Sequence, residues 1–123
     1  HVRALTLSIA CDIHPLQNLR VLKHLKDEFG QDQAGLDRWC RRWIEPGLAA
    51  VEAAVASSGK SGAFCFGDTP TLADICLVPQ MFSAARFGAD VSRLTNLQRI
   101  WKSCEALPAF AAAHPSKQPD AEA

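Results

Sequence analysis

No charge of either sign prevails in this 123-residue sequence: 13 basic residues face 13 acidic ones, and the formal net charge is zero. A neutral chain has no electrostatic footprint for nucleic acid or an anionic membrane, although a local basic patch would still count. No Cys-x-x-Cys pair occurs among the five cysteines, Cys11, Cys40, Cys65, Cys76 and Cys104, and the four histidines do not fall at ligand spacing from them. Zinc needs clustered deprotonated ligands, so no metal site is expected. With an odd count and apolar neighbours, most of these cysteines read as small buried hydrophobes in a reducing, cytoplasmic setting. No apolar run is long enough to span a membrane, no secretory signal is visible, and no internal repeat is evident. An initial methionine is missing too. The chain opens HVRALTLSIACDI, with Val2, Leu5 and Ile9 already at helical spacing, so a fragment lacking an N-terminal part is expected.

What is present is helical. Nearly half the residues are apolar, and the length suits one domain around one core. A first helix is predicted over roughly residues 2–12. Pro15 then bends it or restarts it, because proline removes a backbone donor. Leu19, Leu22 and Phe29 continue the helical spacing until Gly30 stops it. Asp32 is a plausible N-cap for a helix whose apolar stripe runs through Leu36, Trp39, Cys40, Trp43, Ile44, Leu48 and Val51. Pro46 should kink that helix, and SSGKSG should end it near Ser57. AFCFGDTPT reads as a loop, since a strand over Ala63–Phe66 would find no partner. The next helix, Thr71 to about Ala85, is apolar on nearly every side and so belongs in the centre of a bundle. Leu94, Leu97, Ile100, Trp101 and Leu107 mark another amphipathic helix, and Pro108 opens a last short turn. The expected fold is all-α, a helical bundle of five to seven helices over residues 1–113. A Pro-rich polar tail over residues 114–123 is expected to be extended or disordered.

TPTLADI carries the strongest local signal. Thr71 at the N-cap faces Asp74 three residues on, the spacing of a capping box. Asp74 also suits the positive end of the helix dipole. Both are read as folding residues, because the most buried helix must satisfy its first donors without water.

The segment CDIHPLQNLR is less easily explained. On an α-helical wheel His14, Gln17, Asn18 and Val21 share one face, either a solvated surface or one wall of a pocket for a polar ligand. Three stretches, met in order, bear on the choice: CDIHPLQNLRVL, ADICLVPQMFSAARFGADV and HPSKQPDA. Together they resemble the C-terminal helical domain of cytosolic glutathione transferases, and more specifically the zeta class, which contains the maleylacetoacetate and maleylpyruvate isomerases. In that fold a Thr/Ser-x-x-Asp box opens the core helix.

The resemblance implies that this chain is the C-terminal domain of a glutathione-dependent cis–trans isomerase, with glutathione as cofactor and a small dicarboxylic substrate. It implies that His14, Gln17, Asn18, Leu19 and Arg20 contact glutathione, Gln17 being adjacent to the matched positions. His14, Arg20 and Arg86 are the implied substrate-binding residues, with Arg86 clamping a carboxylate through its planar fork. The family's Ser-Ser-Cys-type motif, which activates the glutathione thiol, has no counterpart here, so thiol activation is expected in an N-terminal thioredoxin-like domain absent from this chain. The family also implies a homodimer. Trp39, Trp43 and Trp101 read as core or domain-interface residues. Two other activities stay open: glutathione conjugation or dehalogenation in the same pocket, and a non-catalytic interaction module of the kind found in translation factors and synthetase complexes.

Overall fold

A computed structural model describes residues 1–121. The first helix forms as expected but changes character along its length. α1 (Val2–Leu7) passes into a π-helical segment, Ser8–Ile13, and then into a 3-10 turn, His14–Gln17. Pro15 accounts for the change. It offers no N–H, and in a regular α-helix its ring would press on the carbonyl of Cys11. Looser bonding before it and tighter bonding after it relieve that contact. The hydroxyls of Thr6 and Ser8 bond back to the Val2 and Ala4 carbonyls at 2.9 Å each, a pattern that favours bending. Asn18 is extended, with ψ of 145°, so the chain restarts as α2 (Leu19–Phe29). Gly30, at φ 63°, closes α2 in the left-handed region that glycine adopts without strain.

α3 (Gln33–Ser58) begins at Asp32, whose Oδ1 accepts from the Gly35 N–H at 2.8 Å. It continues through Pro46 without ending. Within its buried stripe Cys40, Ile44, Leu48 and Val55 are fully closed to solvent. α4 (Leu72–Arg86) is the core helix. Its inner face packs against α1, α3 and α5 (Thr95–Glu105), and α6 (Pro108–Ala113) follows on α5. α5 starts without a cap of its own. Instead Glu52 of α3 accepts from the backbone N–H groups of Asn96 and Leu97, at 3.1 and 2.9 Å, and from the Asn96 amide at 2.7 Å. Six α-helices and no strand are found among the described residues. Residues 59–71 form a loop with one isolated bridge, Ser61 to Gly67.

Three expectations need correction. α4 is not enclosed all round: Leu72 and Ile75 are each 57% exposed, because its covering helices meet only its other faces. In α2, Leu22 packs against the core but Leu19 and Phe29 are largely exposed, and no residue of this helix is fully buried. The tail is not extended where it is described. His114 packs edge-on to Phe82 at 5.5 Å, Pro115–Lys117 form a 3-10 turn, and the Gln118 amide donates to the Ala112 and His114 carbonyls. The last two residues of the expected tail, Glu122 and Ala123, lie outside the described residues.

Candidate functional site

The capping box at the head of α4 is present and is closed in both directions. Asp74 carries its well-formed bonds. Its carboxylate, fully buried, accepts from the Thr71 N–H at 2.7 Å and from the Thr71 hydroxyl at 2.8 Å. A third donor was not foreseen: the Cys65 N–H, also at 2.8 Å, which ties the preceding loop to the helix. Each of these contacts is internal to the protein.

The polar cluster around Pro15 is divided by the structure. His14, Asn18, Leu19 and Arg20 are exposed, whereas Gln17 is buried. The shared face read from an α-helical wheel does not exist, because residues 14–17 form a 3-10 turn and Asn18 is extended. Gln17 therefore points inward, where its Nε2 donates to Oε1 of Gln80 at 2.7 Å, and its expected direct contact with glutathione loses its geometric basis. Asn18 caps α2, its Oδ1 accepting from the Arg20 N–H at 3.1 Å. The Trp39 indole N–H donates to the Leu16 carbonyl at 2.7 Å, so this tryptophan braces the turn from α3.

Arg86 stands in the last turn of α4, six residues beyond Gln80, or about 9 Å along the axis. It is exposed, and its guanidinium lies over the Phe87 ring at 5.6 Å. Arg41 of α3 fixes this end of α4 by donating to the Phe87 carbonyl at 3.0 Å. α3 meets both regions: Trp39 holds Leu16, and Arg41 holds the Phe87 carbonyl next to Arg86. Burial, then Asp37, push the Cys40 thiol up to about 11, partly offset by Arg86 and Arg41. Burial and the Asp74 charge raise the Cys104 thiol to about 12 and lift Cys65 further. These three thiols stay protonated at neutral pH and are poor nucleophiles. No cluster among the described residues is suited to hold a metal ion.

Reasoning from sequence missed Gln80, Arg41 and Glu52. Gln80 had a signal: a glutamine on the inner face of a helix that is apolar there apart from its capping Asp74 must find a polar partner. Arg41 and Glu52 had none, since each acts on another element 44 to 46 residues away.

An all-α bundle with a capped core helix, and a polar turn bonded to that helix at Gln80, define a class. Residues 20–114 match the family described as glutathione S-transferase, C-terminal domain, and the chain belongs to it. Within the class the likeness is specific. The maleylpyruvate isomerase of a Ralstonia species is 46% identical over 119 residues, covering 97% of this chain and 56% of that protein. A holo structure of maleylpyruvate isomerase, a bacterial glutathione S-transferase of the zeta class, superposes with a TM-score of 0.95 at 45% identity, covering 98% of this chain and 57% of that one. The maleylacetoacetate isomerase of Anaeromyxobacter dehalogenans, solved with dicarboxyethyl glutathione and citrate in its active site, gives a TM-score of 0.89 at 43% identity over 98% of this chain and 53% of that one. The chain thus spans about half the length of the curated relatives it matches.

Proposed function

We infer that this chain is the helical half of a glutathione-dependent isomerase of maleylpyruvate or maleylacetoacetate. The observation that carries the reading is a braced turn exposing His14, Asn18 and Arg20, in a chain 46% identical to a maleylpyruvate isomerase. The exposed groups fit the ligand chemistry: glutathione is a tripeptide with two carboxylates, which call for cations and amide donors. When bound, glutathione supplies the thiolate that adds to the maleyl double bond and leaves after rotation about it.

The chain's own residues bind and orient. His14, Asn18, Leu19 and Arg20 contact glutathione, and Gln17 supports them from below. Arg86 holds one substrate carboxylate with two parallel bonds, and Arg20 or His14 takes the other. These cations also stabilise the enolate charge that develops on addition. Thiol activation is assigned to a thioredoxin-like domain acting with this one. A homodimer in the cytoplasm is the assembly proposed, supported by the family resemblance and by five cysteines that are all free.

The test is steady-state kinetics on the natural protein containing this chain, with glutathione and substrate varied separately. Arg86→Ala is expected to lower kcat/KM for the dicarboxylic substrate about thirty-fold to several hundred-fold, leaving glutathione binding intact, with Arg86→Lys restoring part. Full activity in Arg86→Ala would remove the clamp. A substrate panel separates isomerisation from conjugation and dehalogenation, and failure to bind glutathione would favour an interaction module.

A further inference from the structure

Gln80 and Gln17 form a buried amide pair that spans 63 residues of sequence. Gln80 is fully buried and Gln17 is 8% exposed. One bond joins them, while Gln17 Oε1 and Gln80 Nε2 have no partner among the described residues. A half-satisfied amide pair costs stability relative to an apolar pair of the same shape. Packing alone gives no reason to place it here.

Its position supplies one. The turn His14–Gln17 is a short 3-10 segment between a π-helical stretch and an extended residue, with a proline inside, so local bonding holds it weakly. Two outside bonds brace it: Trp39 to the Leu16 carbonyl, and Gln80 to Gln17. Downstream, α2 buries no residue fully, so its direction is set largely by the chain that enters it. Asn18 and Arg20 stand at that entrance. From these contacts we propose that Gln80 is a positioning residue: through Gln17 it fixes the turn that presents Asn18 and Arg20 to glutathione. The role rests on the glutathione-binding reading of that segment. The clamp itself does not.

Two measurements separate the two. The first uses the 123-residue chain alone. Gln80→Met keeps shape and removes the acceptor. Amide hydrogen exchange is expected to speed up about ten-fold at residues 18–22 and to stay unchanged in the centre of α3. No local change, or equal acceleration throughout, would overturn the clamp. The second uses the natural protein with glutathione varied. Gln80→Met is expected to raise the KM for glutathione about ten-fold while kcat at saturating glutathione stays within two-fold, roughly the effect of one lost hydrogen bond. Gln80→Glu, kept protonated by burial, can accept from Gln17 Nε2 and donate to Gln17 Oε1, so it should restore the KM. Unchanged KM in Gln80→Met, or loss of kcat alone, would overturn the role. Should Gln80→Met fail to fold, Gln80→Glu decides: a KM for glutathione within two-fold of wild type supports the role, and a KM raised about ten-fold overturns it. If the wild type binds no glutathione, the functional reading fails, and the exchange data still decide the clamp.

Discussion

At the scale of single residues, burial decides which polar groups hold the fold and which are free to act. Asp74 satisfies three donors inside the protein, two more than its capping box requires. Asp74→Ala would strand the Cys65 and Thr71 N–H groups, and the expected loss is about 2–4 kcal/mol, measured by urea unfolding. Unchanged stability would refute that role. The cysteines give a second expectation. In the unfolded chain their thiols titrate near the usual 9.0, whereas in the fold Cys40 is raised to about 11 and Cys104 to about 12. Above pH 9 the unfolded chain therefore loses protons that the folded chain keeps. Stability is fully present below pH 9 and falls between about 9 and 11, by up to about 1.4 kcal/mol per pH unit for each thiol. Urea midpoints at pH 7, 9 and 10 check the sign. Cys11 is exposed, so a thiol reagent at neutral pH should modify it well before Cys40, Cys65 or Cys104.

At the scale of elements, α3 approaches the π-helical segment so closely that a single methyl would test the contact. A Cβ on Gly47 would meet Ile13 Cγ1 at 2.5 Å and Cδ1 at 2.7 Å, and Ile13 is itself buried in the core. Alanine gains about 1 kcal/mol of helix propensity over glycine. Overpacking a close core contact costs about 1–3 kcal/mol. Gly47→Ala is therefore expected to destabilise despite the better helix former, and Ile13→Val to offset part of the loss in the double variant. Simple additivity of the two changes in denaturant unfolding would rule this out. The helices themselves were legible in the sequence because their signals are local. Asp32 and Gly30 were readable from neighbours three or four residues away. The start of α5 was not, since its cap is Glu52, some 45 residues back on another helix.

At the scale of the whole molecule, the outer face of α4 borders an apolar groove of about 630 Å³, lined by Ile75, Val78, Phe82, Trp101 and Phe110 and bounded by the tail. Ile75 of this lining, and Leu72 on the same helix, are each more than half exposed. Apolar surface of this kind promotes association, so light scattering of the 123-residue chain should show mass rising with concentration; a clean monomer throughout would oppose it. The same chain alone should show no isomerase turnover with glutathione, because it contains no Ser-Ser-Cys motif to ionise the thiol. Measurable turnover by the pure chain would assign thiol activation to residues described here. By itself the sequence determined the helices, most of their ends and the Thr71–Asp74 box, because each depends on contacts three or four residues apart. Only the tertiary structure decided that Gln17 turns inward while Asn18 and Arg20 face out. A 3-10 turn followed by an extended residue obeys no single period, and the partner that selects Gln17 lies 63 residues away on α4.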